Sequence, residues 1–277
     1  MTPRQATQRD DFFFDLQGFL KLGKCLSDKE LASMRSWIDG RPRVESGDWI
    51  GHVHRQNHEA MFGENLQQIY EAEPFRCLID HPSWIDLAKR YVGGQSNFDA
   101  FHGPVFIDEN FINIRGPGQA ISLHNGGWKS IKRCQYEYRN NEWMCGQINV
   151  LVALEDIGPG DGATMVIPGS HKSRIPHHQM GESNYGTDSV DGIEGAVEVH
   201  LKAGEAILFV DAISHGSAKR VNPGERRIAV FRYGPSWGAP RFGYTPSERL
   251  LESLSPEVRK LIKPHRQILC AAGSGDK

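Results

Sequence analysis

Two histidines, an aspartate and an arginine stand in an order that suits a metal ion holding an anionic partner. The run Leu208-Phe209-Val210-Asp211-Ala212-Ile213-Ser214-His215-Gly216-Ser217 is followed by Arg226, Arg227 and a β-type run from Ile228 to Tyr233. An apolar strand thus delivers a carboxylate and an imidazole four residues apart, and a basic residue returns on the next strand. Upstream, His124 closes the run Ile121-Ser122-Leu123-His124, where a first metal-binding strand would deliver its ligand. Two neutral imidazoles and one carboxylate on one face, with open positions beside them, are the donor set of a non-haem iron oxygenase. An arginine offers the forked, permanent charge that binds a distal carboxylate such as that of 2-oxoglutarate.

Weaker candidates lie on neighbouring runs. Asn113 precedes His124 on a β-type stretch, and alternation puts Gln147 and Asn149 on one face of the run Gln147 to Leu154. These amides are candidates for the cosubstrate or the substrate, and Trp128 for a wall of the substrate pocket. Arg227 is expected to face outward, because strand neighbours point to opposite sides. His52, His54 and His58 form a rival zinc cluster, set aside because no Cys or carboxylate accompanies them at ligand spacing.

The elements that must position these groups are short strands. From about residue 103 the chain reads as β-type runs at 105–114, 147–154, 164–167, 197–201, 206–210 and 227–233, punctuated by Gly and Pro. Without crossover helices such strands pair antiparallel, which favours a sandwich or barrel over a Rossmann sheet. The first hundred residues read mainly as helix and loop. Ser27 and Glu30 form a capping box before Leu31, Met34, Trp37 and Ile38, and Gly40 and Pro42 end that helix. A second helix opens at Pro82 and stops at Gly93-Gly94, while 51–58 reads as irregular. The polar, Gly-rich stretch 177–195 reads as a lid or loop, and 247–263 as a short helical tail.

In this setting the chain resembles a known family. The run Gly160-Asp161-Gly162-Ala163-Thr164-Met165-Val166-Ile167-Pro168-Gly169-Ser170-His171-Lys172, followed by His215-Gly216-Ser217 and by Arg226 eleven residues beyond His215, is similar to the phytanoyl-CoA dioxygenase family. The resemblance implies a mainly β fold with flanking helices, a double-stranded β-helix of the jelly-roll, cupin-like kind, binding Fe(II), 2-oxoglutarate and O₂. It matches the distal ligand to His215, the cosubstrate arginine to Arg226 and a hydroxyl contact to Ser217, with His171 structural. The implied reaction is oxidation of a small-molecule C–H bond, by hydroxylation or demethylation, with release of succinate and CO₂.

One departure matters. The family's first motif is His-x-Asp, whereas here it reads His124-Asn125-Gly126. Asp211 is the favoured replacement, giving His124, Asp211 and His215 as the ligand set. The rivals are a halogenase with a halide at the position Gly126 leaves open, and a barrel that has lost iron and only binds.

Bulk properties agree with a folded domain and a small partner. The 277 residues are expected to form one domain, with helical padding at 1–102, a β-helix core at 103–235 and a helical tail at 236–277. A net charge of −2 gives no global attraction to nucleic acid or an anionic membrane. Five scattered cysteines without a CxxC pair suit reduced thiols, and no leader or membrane span is recognisable, so the expected address is cytoplasmic. Oligomeric state and substrate identity are not legible.

Overall fold

The computed structural model describes residues 4–57, 62–93, 103–126, 135–180, 188–236, 247–256 and 258. Thirteen strands appear in chain order: β1 (Phe19–Lys24), β2 (Trp49–Ile50), β3 (Val53–Asn57), β4 (Glu64–Gln67), β5 (Val105–Arg115), β6 (Tyr138–Arg139), β7 (Glu142–Trp143), β8 (Ile148–Ala153), β9 (Thr164–Val166), β10 (Val197–Val199), β11 (Glu205–Val210), β12 (His215–Ser217) and β13 (Arg226–Pro235). Eight form a major antiparallel sheet ordered β1-β11-β8-β13-β5-β4-β3-β2, and β10-β9-β12 form a smaller facing sheet. Two facing antiparallel sheets make the sandwich that the strand pattern predicts and the jelly roll that the resemblance implies.

Alternation along each major-sheet strand sorts side chains into two cores. Leu66, Ile112, Val150, Val152, Leu208, Phe231 and Tyr233 face the helical side. The helices α1 (Gln8–Gln17), α2 (Asp28–Gly40) and α3 (Ile85–Val92) cover them with Phe14, Met34, Ile38 and Tyr91. Helix α2 begins at the capping box read from sequence, with Ser27 and Glu30 each satisfying the other's backbone. The opposite residues Phe111, Leu151, Ile207, Phe209, Ile228 and Val230 pack between the sheets against Val166, Val199 and Leu201.

Two expectations change. The segment 51–58 is no irregular loop where described: β2 and β3 form a hairpin that, with β4, extends the major sheet beyond β5. Its periodicity was masked because polar His54 and Gln56 alternate with Val53 and with Arg55, which pairs with Glu64. The N-terminal hundred residues therefore supply strands as well as padding. The second helix starts at Ile85 rather than Pro82, with Trp84 at its N-cap. Of the tail, a short helix α4 (Glu248–Ser253) is described. No helix among the described residues is long and apolar enough to cross a membrane, and Cys25, Cys77 and Cys145 are free thiols.

Candidate active site

The two histidines meet across a single antiparallel bridge. The His124 amide donates to the His215 carbonyl at 2.9 Å and the His215 amide to the His124 carbonyl at 2.8 Å, so both side chains emerge on one face. Their ring centroids lie 4.2 Å apart. Close approach here depends on Gly216: a Cβ at that position would sit 2.5 Å from the Ser122 carbonyl oxygen. Each ring is oriented identically. Nδ1 lies 2.9 Å from the Ser122 carbonyl for His124 and 2.8 Å from the Ile213 carbonyl for His215. A carbonyl only accepts, so each Nδ1 carries the proton and each Nε2 carries a lone pair, the tautomer a metal requires. Burial and the neighbouring His215 hold His124 down to about 3, and burial also lowers His215, so both rings are neutral at pH 7.

Asp211 sits beside this pair. Its charge acts on both imidazoles, raising each against the effect of burial. The Gly126 amide donates to the Asp211 backbone carbonyl at 2.8 Å, so the aspartate stands across from the position where the first motif lacks a carboxylate. Asn149 Nδ2 donates to Asp211 Oδ1 at 2.5 Å, and Gln147 Nε2 donates to Asn149 Oδ1 at 3.0 Å. Gln147 thus reaches the site through Asn149. Among the described residues no three His, Cys, Asp or Glu side chains stand together closely enough to hold a metal ion as they are placed. Two oriented imidazoles with an adjacent carboxylate nevertheless fit the donor chemistry of Fe(II).

The other end of the same cavity is cationic. Arg226 and Arg115 are register partners on β13 and β5, and both are almost wholly buried. Arg226 donates from Nη1 to Asn113 Oδ1 at 3.2 Å and from Nη2 to Thr164 Oγ1 at 3.1 Å, while its buried Nε has no acceptor. Arg115 donates from Nε to Asn113 Oδ1 at 2.6 Å and from Nη1 to Ser217 Oγ, which also accepts from the Ile121 amide. Every one of these partners is neutral. Burial pulls Arg115 down to about 9, and burial plus the charges of Arg115 and Arg220 push Arg226 well below its ordinary value. Guanidinium groups nonetheless stay protonated at neutral pH. Two like charges buried side by side are costly unless an anion joins them.

One cavity links the ends, lined by His124, His215, Asn149, Asn113, Arg115 and Arg226 with apolar walls that include Phe111, Leu151 and Phe209. A larger surface cavity of about 540 Å³ near Arg41, Arg55 and Glu64 holds no imidazole and is laced by its own ion pairs. The structure therefore gathers His124, His215, Asp211, Asn149, Asn113, Ser217 and Arg226. Arg115 escaped sequence reasoning, although it shares strand parity with Asn113 at the end of an apolar run. Trp128 lies outside the described residues, as does His58. His54 is engaged elsewhere, with Nε2 on the Gly47 carbonyl and its ring against Trp49. His171 packs against Gly18 and places Nε2 3.1 Å from the Asp15 carbonyl, a structural position. Arg227 points outward to Asp39 and Glu225.

Comparison with known proteins decides the kinship: the sequence profile of the phytanoyl-CoA dioxygenase (PhyH) family matches residues 14–228. The chain belongs to the phytanoyl-CoA dioxygenase family. That family uses Fe(II), 2-oxoglutarate and O₂. Curated relatives include the dioxygenase cdmD of Talaromyces verruculosus, 29% identical over 195 residues that cover 69% of this chain and 58% of the relative. Ectoine dioxygenase of Nocardia farcinica is 30% identical over 92 residues, covering 27% of this chain and 31% of that protein. The chain thus matches less than two thirds of the length of either relative. Among solved structures, HygX from Streptomyces hygroscopicus with nickel and 2-oxoglutarate superposes with a TM-score of 0.66 at 20% identity, covering 84% of this chain and 88% of HygX. The α-ketoglutarate-dependent carbocyclase SnoK from nogalamycin biosynthesis gives 0.55 at 16%, covering 84% and 87%. At these identities the likeness concerns the fold alone.

Proposed function

We propose that this chain is an Fe(II)- and 2-oxoglutarate-dependent dioxygenase that hydroxylates a C–H bond of a small molecule, converting 2-oxoglutarate and O₂ to succinate and CO₂. One observation carries the reading: two imidazoles with proton-bearing Nδ1 atoms share a cavity with two buried guanidiniums whose partners are all neutral. A metal ion would be held by the first pair, and a dianion would neutralise the second.

In this reading Nε2 of His124, Nε2 of His215 and the Asp211 carboxylate hold the metal, and Asn149 orients that carboxylate. Arg226 takes the distal carboxylate of 2-oxoglutarate, with Arg115 supplying the second charge and Asn113 and Ser217 holding the two guanidiniums in register. Iron with O₂, when bound, supplies the oxidising power, and 2-oxoglutarate supplies two electrons by losing CO₂. The protein's own work is orientation and exclusion of water, for which the apolar walls between the sheets are suited. Demethylation would follow the same steps with a methyl carbon attached to a heteroatom as the target.

The Gly126 position favours one rival, a halogenase in which a halide takes the third site. Anaerobic Fe(II) titration separates the two. The dioxygenase reading expects a visible charge-transfer band that requires 2-oxoglutarate, and an Asp211→Ala variant that loses most of its iron affinity. Full iron affinity in that variant, with a chloride-dependent spectrum in the wild type, supports the halogenase. Absence of any 2-oxoglutarate-dependent band overturns both and leaves a barrel that only binds.

A further inference from the structure

The cavity does not end at the histidines. Arg232 lines it alongside them, and its charge reaches both imidazoles. By register Arg232 faces Glu109 on β5 and Asn149 on β8, so it shares the inner face of the sheet with Val230 and Arg226, two and six positions back along the same strand. Its Nη1 donates to Glu109 Oε2 at 2.6 Å, and its guanidinium lies 5.5 Å from the centre of the Phe111 ring. Its buried Nε has no acceptor. Behind this pair, Gln67 Nε2 donates to Glu109 Oε1 at 2.9 Å and to Gln56 Oε1 at 3.1 Å. These four side chains form a polar row on β13, β5, β4 and β3, leading away from the metal end.

The backbone is shaped to produce this row. The β5–β13 register slips between Arg232 and Tyr233, where Asp108 is the extra residue. Without that bulge Ile107 would share the inner face with Glu109 and Phe111. With it, Ile107 pairs with Tyr233 and packs against the helix-covered core, while Glu109 stays inside. A bulge that re-aims side chains beside a cavity is a common active-site device.

A cross-strand ion pair alone would account for Arg232 Nη1 and Glu109. It does not account for a buried donor left without an acceptor, which is unfavourable, or for two glutamines turned onto the same inner face. A ligand oxygen at Nε would remove that cost, and the half-exposed Glu109 has lone pairs left for a hydroxyl or an ammonium. Resting on the dioxygenase reading above, we propose that Arg232, Glu109, Gln67 and Gln56 form the substrate-recognition face, and that the substrate is a hydroxyl-rich, amine-bearing small molecule rather than an acyl chain. Its oxygen accepts from Arg232 Nε, and its amine or hydroxyl donates to Glu109.

The test is anaerobic calorimetric titration of the Fe(II)- and 2-oxoglutarate-loaded protein with three probes: D-glucosamine, sorbitol and decanoate. Glucosamine is expected to bind tightest and decanoate not at all. Glu109→Gln should weaken glucosamine at least tenfold and sorbitol less than threefold, because only the amine loses a charge partner. Arg232→Lys keeps the charge opposite Glu109 but removes Nε, and should weaken both polar probes about tenfold with the melting temperature held, which a purely structural ion pair would not do. Equal binding in wild type and both variants, preferential binding of decanoate, or no binding of any probe overturns the proposal. Binding of 2-oxoglutarate to the wild-type protein, measured first, keeps the outcomes apart: if it binds and the polar probes do not, the recognition face falls and the dioxygenase reading stands.

Discussion

The two faces of the major sheet are buried by different rules. On the helix-covered face the deepest polar atoms meet partners within the chain: Trp84 Nε1 donates to Tyr233 Oη at 2.9 Å, and that hydroxyl donates in turn towards the Leu78 and Ile79 carbonyls, although Trp143 Nε1 in the same core has no acceptor. On the face between the sheets the polar atoms are placed without being settled. Arg226 and Arg115 are as deeply buried as the outer-face aromatics, yet only neutral groups meet them. The outer face holds the fold together. The inner face spends part of that stability on groups arranged for a ligand, and the contrast locates the site more sharply than cavity size does.

Substitutions should separate the faces, and the largest effect is expected at the imidazole pair. His215→Ala should abolish the 2-oxoglutarate-dependent charge-transfer band and turnover in a protein that still melts cooperatively, as anaerobic spectroscopy and calorimetry would show. Phe75→Ala, at a wholly buried position in the helix-covered core, should do the reverse. It should lose about 3–5 kcal/mol in urea denaturation, while the folded fraction still binds iron stoichiometrically.

Arg226→Met tests the contrast most directly. Removing a buried cation that has no anionic partner should leave the ligand-free melting temperature unchanged or raise it. The same variant should lose its response to 2-oxoglutarate, which at a hundredfold excess over its dissociation constant should stabilise the wild type by ~2.7 kcal/mol. A large loss of ligand-free stability would mean that the arginine is a structural strut.

The smallest effect concerns a histidine outside the site. Burial lowers His171 to about 4, below its ordinary value of 6.5. The unfolded chain therefore takes up a proton there first as pH falls. The contribution of neutral His171 to stability is complete above about pH 6.5 and is lost as pH drops towards 4. His171→Gln should show a shallower fall in melting temperature between pH 7 and pH 4.5 than the wild type, with iron binding at pH 7 retained.

Much of the site was legible because the chemistry lies close to strand ends. His215 and Ser217 follow an apolar strand, Arg226 opens the next, and the Pro168-Gly169-Ser170-His171 turn closes β9 of the smaller sheet. The capping box at Ser27 and most strand runs after residue 103 were equally local. Arg115 was not legible, because an arginine ending a strand looks like a solvated terminus until its register partner proves to be Arg226. The hairpin of β2 and β3 was hidden for the opposite reason: His54, Arg55 and Gln56 are polar and only partly buried around the single buried Val53, which gives a periodicity that reads as exposed.

The sequence by itself determined that two histidines, an aspartate and an arginine recur in the order of an iron oxygenase, and that the first motif has glycine where a carboxylate is expected. Spacing carries that information because ligands sit at fixed offsets from strand ends. Only the tertiary structure decided that Gly126 and Asp211 share a backbone hydrogen bond, that Arg115 doubles the buried charge, and that a bulge keeps Glu109 beside Arg232. Those are contacts between strands far apart in the chain, set by sheet register, and register is a property of the packed fold.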